Sequence, residues 1–187
     1  MSTHRLRLGV SLRVTDNEAR SALEAIRVKM GLADHVRDLT REEVWELDVD
    51  APDVERAKSI VAGLVESTNL FANPNKHRTR LDDAGGRSTD LAPDEVAILV
   101  SDRESAEGAS MLAAVERLGV RGIVGARKWI RWRVRLAETP SPEEPRTLDL
   151  ITRIGVATGR RDGLLCNPHC QIASAILPWG DEKPLAR

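Results

Sequence analysis

At 187 residues, with 41% hydrophobic and 30% charged side chains, the chain can form one ordinary globular domain or two small ones. A formal net charge of -1 and a pI near 6.4 argue against nucleic acid as the main partner, because phosphate binding needs a basic excess on one face. No apolar run reaches the about 18 residues that span a bilayer, and Met1 to Arg5 do not open a signal peptide, so a cytoplasmic location is expected.

Leu6, Leu8, Val10, Leu12 and Val14 alternate with mostly polar residues, the period of a half-buried strand. Thr15 with Glu18 predicts a capping box, and Ala19, Ala22, Leu23, Ile26 and Met30 mark one face of a helix that Gly31 ends. Val36 to Asp50 reads as extended structure, either one long bent strand or a hairpin. Pro52, Asp53 and Glu55 suit the first turn of a second helix with Val54, Ala57, Val61, Leu64, Val65 and Thr68 on its apolar side. Asn73-Pro74 turns the chain into a closing strand from Lys76 to Leu81. The expected order is strand, helix, two strands, helix, strand.

The second half repeats this plan. Leu70-Phe71-Ala72-Asn73-Pro74 returns as Leu164-Leu165-Cys166-Asn167-Pro168, Trp45 to Val49 returns as Trp132 to Leu136, and Val14 to Glu18 is answered by Val100 to Glu104. Ser101 and Glu104 would form a second capping box, Leu112, Val115 and Leu118 a helix face ending at Gly119, Leu148, Ile151 and Ile154 a further helix, and Ile172 to Leu177 the last strand. Two insertions separate the copies: Pro140 to Pro145 before the second helix, and Gly159 to Gly163 after it. We therefore expect a first repeat at 1–82, a linker at 83–94, a divergent second repeat at 95–180 and a tail at 181–187. Two copies in one chain predict a pseudo-dimer, each half being near the size at which a lone domain is marginal.

The first half, from Arg5 to about Leu81, resembles the PurS family in its extended Glu43-Val44-Trp45-Glu46-Leu47-Asp48-Val49, its acidic helix start and Leu70 to Pro74. That family supplies the small subunit of phosphoribosylformylglycinamidine synthase, as single-copy chains that dimerise. The resemblance implies an α+β fold of two ferredoxin-like (βαββαβ) units and a subunit with no catalytic residue or cofactor of its own. It implies as partners a PurL-type synthetase subunit and a PurQ-type glutaminase subunit, which use ATP, Mg and glutamine. An alternative from another class is a tandem ACT-like regulatory module that binds a small metabolite.

With Trp45, Leu47 and Val49 inward, Glu46, Asp48 and Asp50 face outward; with Trp132, Val134 and Leu136 inward, Arg131, Arg133 and Arg135 do. The opposite charges of these equivalent strands would favour pairing between the repeats, or the arginines with Trp129 would form a docking patch for an acidic surface or a nucleotide phosphate. Solvation of both faces is the plain alternative. Asn73, Pro74, Asn167 and Pro168 are partner-contact candidates, although a helix exit accounts for them too. Arg160 and Arg161 lie in a glycine-flanked basic loop that lacks the lysine and spacing of a phosphate-cradling loop. Cys166, His169 and Cys170 fall short of four zinc ligands, so no metal is expected, and reduced thiols are the default. His35 and His77 lack the neighbours of a catalytic triad and are expected at the surface or at a partner contact.

Overall fold

The computed structural model describes residues 2–84, 91–141, 145–159, 162–180 and 182–185. Its elements are β1 (Ser2–Leu12), α1 (Asn17–Glu24), β2 (Val36–Ala51), α2 (Val54–Ser67), β3 (His77–Asp83), β4 (Glu95–Asp102), α3 (Glu107–Arg117), β5 (Ile123–Leu136), α4 (Pro145–Gly155), β6 (Gln171–Ile176) and β7 (Glu182–Pro184). Among the described residues this is a mixed α+β architecture with four α-helices and one antiparallel sheet of seven strands, ordered β3-β1-β2-β5-β4-β6-β7. The chain forms two compact units, and each draws on both sequence repeats.

The first unit comprises Met1–Val14, Glu42–Arg87 and Ser105–Trp129. Strand alternation puts Leu6, Leu8 and Val10 of β1 and Trp45, Leu47 and Val49 of β2 on one face, where all are buried. Leu8 stands between Trp45 and Leu81 in the register. Asp53 caps α2 by accepting from the Arg56 N–H at 2.7 Å, and Ala57, Val61 and Leu64 cover the sheet. Met111 and Val115 of α3 complete this core, so a helix of the second repeat packs with strands of the first. On the other face Arg5 donates to Asp48 at 2.8 Å and pairs with Glu46 at 3.4 Å, Arg7 reaches Glu46 at 3.5 Å, and Thr3 bonds Asp50.

The second unit comprises Thr15–Arg41, Ser88–Glu104 and Ile130–Arg187. Val96, Ile98 and Val100 of β4 face the same core as Trp132, Val134 and Leu136 of β5 and Ile151 and Ile154 of α4. Here the partner helix comes from the first repeat: Ala19, Ala22 and Ile26 are buried in this core, followed by Leu32, Val36 and Leu39. Arg41 ties down the start of that helix by pairing with Asp16 at 3.6 Å and Glu18 at 3.4 Å, and its guanidinium lies over the Trp132 ring. The lengths of β2 and β5, 16 and 14 residues, are the physical basis of the exchange. Each strand is far longer than the usual five or six residues and has its two ends in different units, so the helix preceding it is assigned away from the strand before that helix.

Several local expectations are corrected. Val36 to Ala51 is one long strand and not a hairpin, so each repeat runs strand, helix, strand, helix, strand. The cap of α1 is Asp16, which accepts from the Glu18 and Ala19 N–H groups at 2.9 and 3.2 Å; Thr15 is one residue too early. Ala25 to Lys29 continue α1 as a π-helical turn before Gly31, at φ 69°, ends it. Ser101 is buried in β4, and α3 starts only at Glu107, whose N–H meets Ser105 Oγ at 3.3 Å. The echo between Val14 to Glu18 and Val100 to Glu104 is therefore not a structural equivalence. Leu12 pairs with His77 and Asp102 with Gln171, which matches Arg13 with Arg103, whereas Trp45 opposite Leu8 does match Trp132 opposite Ile98. Glu182 to Pro184, read as tail, form the edge strand β7 on β6.

Candidate functional site

A concavity arises in the second unit, at the insertion before α4. In the first repeat Pro52 and Asp53 alone connect β2 to α2, and the join is tight: the Asp50 N–H donates to Gly122 O at 2.7 Å, and a Cβ on Gly122 would stand 3.4 Å from Ile60 Cδ1. The matching bond in the second unit runs from the Ala137 N–H to His35 O at 2.9 Å. There the chain continues from Leu136 to Pro145 before helix begins, and a cavity of about 420 Å³ opens beside the join. That volume is within the usual range for small-molecule sites.

Leu32, Leu136 and Leu150 give the cavity an apolar lining, with Ala137 and Pro140 beside them. His35, Glu138 and Thr139 add polar groups from the loops. From α4 come Arg146, Thr147, Asp149 and Arg153, a helical spacing that lines one side with charge of both signs. Arg153 is already committed: Nε donates to Asp162 Oδ1 at 3.0 Å and Nη2 to Met30 O at 3.3 Å. Arg146, Asp149 and Glu138 have no ion-pair partner among the described residues, although Arg146 and Asp149 are three residues apart on one helix. Thr147 is only 8% exposed. The lining thus carries two cations and two anions around an apolar floor, which suits a small molecule with both charges better than a polyanion.

The two Asn-Pro turns have the same geometry. Asn73 Oδ1 accepts from the Asn75 N–H at 2.9 Å and Asn167 Oδ1 from the His169 N–H at 3.1 Å. Each asparagine carbonyl accepts from the residues three and four further on, and each asparagine N–H donates to the side chain four further on, His77 Nδ1 or Gln171 Oε1. Arg13 Nε and Arg103 Nη2 then bond the Pro74 and Pro168 carbonyls at 3.0 and 3.2 Å. These contacts account for the asparagines structurally, as an Asx-turn braced by the arginine that follows the first strand of each repeat.

Glu46, Asp48 and Asp50 meet Arg5, Arg7 and Thr3, as described above, while Arg133 pairs with Glu95 at 3.8 Å and Arg135 with Asp94 at 2.9 Å. Arg131 is buried at 5% exposure, not outward as the strand phase predicted: its alternation is right, but that face of β5 lies beside buried Leu99 of β4. Arg127 stacks on Trp129 at 4.3 Å, and the buried Trp129 indole N–H has no acceptor among the described residues. Arg160 and Arg161 lie outside the described residues. Cys166 is buried and Cys170 exposed, both as free thiols; burial pushes the Cys166 pKa up, with Cys170 adding to the rise. No cluster of three or more metal-ligating side chains occurs among the described residues, and none of their helices is long and apolar enough to cross a membrane.

Of the cavity residues, only His35 was considered as a candidate from sequence. The signal for the rest was there: a proline-rich insertion followed by Arg146, Asp149 and Arg153 on one helix side. No model of a known protein family matches the chain, and no curated protein matches it.

Proposed function

We propose that the chain is a non-catalytic bridging subunit of the PurS type, folded as two ferredoxin-like units that together stand in for a homodimer. The observation that carries this reading is the exchange of helices. One unit holds β1, α2, β3 and the later part of β2 together with α3 and the first part of β5, and the other holds β4, α4, β6 and the later part of β5 together with α1 and the first part of β2, so that each unit needs both repeats. A duplicated gene whose single-copy product dimerised by this exchange would yield such a chain. The resemblance at Glu43 to Val49 and Leu70 to Pro74 adds the functional part. In this reading a glutaminase releases ammonia, a synthetase activates the formylglycinamide ribonucleotide amide with ATP and Mg, and this chain holds the two so that ammonia reaches the activated amide before it escapes to water.

The test is glutamine-dependent formation of formylglycinamidine ribonucleotide by purified synthetase and glutaminase subunits from the same source, with and without the chain. Turnover that needs the chain supports the bridge. Equal turnover without it, with both subunits shown to be competent, refutes the reading. The cavity beside α4 favours a second reading, an ACT-like regulatory module, which predicts a heat-stability shift with amino acids or purine nucleotides in the absence of any partner protein.

A further inference from the structure

We propose that the cavity between α4 and the end of β5 binds a free α-amino acid with an apolar side chain, held at its carboxylate by Arg146 and at its ammonium by Asp149. The proposal deepens the regulatory reading and does not depend on the bridging role. Residues three apart on a helix stand side by side, about 5–6 Å between Cβ atoms. Arg146 and Asp149 have that spacing and both line the cavity, yet they form no ion pair with each other. A carboxylate and an ammonium borne on one carbon present the complementary charges to two such neighbouring side chains. Arg146 offers the donor fork that recognises carboxylate in a planar, bidentate way.

The rest of the cavity selects further. Leu32, Leu136 and Leu150 line it with aliphatic surface for the ligand's side chain, and Thr147, 8% exposed, adds a hydroxyl. Glu138 and Asp149 oppose a second anionic group, so a nucleotide or a free polyphosphate meets like charge. Arg153 is held by Asp162 and the Met30 carbonyl and serves as wall, which leaves Arg146 as the carboxylate donor. The first unit closes its equivalent join with a two-residue connection, so the stoichiometry is one ligand per chain.

Calorimetric titration of the full chain with L-leucine, L-methionine and L-phenylalanine, each separately, tests this. At least one should bind at one site. Arg146→Ala and Asp149→Ala should each weaken it about ten-fold or more, the loss of one charge-assisted hydrogen bond. N-acetyl-L-leucine, without the ammonium, and L-leucinamide, without the carboxylate, should show the same loss relative to L-leucine, or the corresponding derivatives relative to whichever amino acid binds. Both substituted side chains are exposed, and circular dichroism of each variant checks that it folds. No heat with any of the three amino acids overturns the proposal, as does binding indifferent to both substitutions, or AMP binding as tightly as the free amino acid. Because no partner protein is present, failure here leaves the bridging test untouched.

Discussion

Gly108, in the first turn of α3, and Gly63, inside α2, should respond to alanine with opposite signs. In a helix, alanine is favoured over glycine by about 0.5–1 kcal/mol because it loses less backbone freedom on folding. At Gly63 a Cβ would meet nothing within 4 Å, so Gly63→Ala should stabilise by about that amount. At Gly108 the same atom would run into the Ala126 carbonyl oxygen and stand 3.1 Å from its carbon. That obstacle is backbone of β5 and cannot swing aside like a side chain, so α3 itself must shift, and Met111 and Val115 with it. Overpacking of this kind costs about 1–3 kcal/mol, which outweighs the propensity gain over most of its range. For a chain of this length about 1 kcal/mol moves Tm by about 2–4 °C, so Gly108→Ala should lower Tm by several degrees and Gly63→Ala raise it by about 1–4 °C. Urea denaturation followed by tryptophan fluorescence and far-UV circular dichroism measures both. If Gly108→Ala is as stable as the parent or more so, α3 does not lie against β5 as described.

Ile26, fully buried in the second unit's core, supplies the complementary test: Ile26→Ala should cost about 2–5 kcal/mol, and hydrogen exchange should accelerate in β4, although that strand is some seventy residues away in sequence. Acceleration confined to residues 15–41 would refute the packing of α1 with second-repeat strands. Asn73→Ala and Asn167→Ala each remove one side-chain acceptor from matching turns and should each cost about 0.5–1.5 kcal/mol in denaturant titrations; a loss at one turn only would mean that the turns are not equivalent. Iodoacetamide should label exposed Cys170 in the folded chain and reach buried Cys166 only on unfolding. Since the folded state raises the Cys166 pKa above its ordinary 9.0, the thiol's contribution to stability is full below that value and is lost as pH rises through it toward the folded pKa. Alkaline unfolding should therefore be less steep in Cys166→Ala, and an unchanged pH profile would remove the thiol from that account.

Local features were legible wherever a short stretch of chain decides its own conformation. Period-two alternation located β1, the Pro52-Asp53-Glu55 run located the start of α2, the glycines at 31 and 119 ended their helices in the left-handed region, and the repeated Asn-Pro turns proved to be the same hydrogen-bonded device. The first cap lies one residue later than expected, at Asp16, and the second was expected at Ser101 although α3 starts only at Glu107, because several hydroxyls and carboxylates in succession can each accept from a free helix N–H. The unbroken course of β2 was left open, since an extended run reads alike whether it continues or folds back. Tertiary structure alone decided which helix covers which strands. Apolar stripes on α1 and α3 record that each helix must be buried but not against what, and the choice depends on where the ends of two unusually long strands come to rest. The cavity has the same origin. The insertion before α4 and the charges along that helix are plain in the amino-acid order, but that Leu32 and His35, more than a hundred residues earlier, form its other wall follows only from the packing of α1 in the second unit's core.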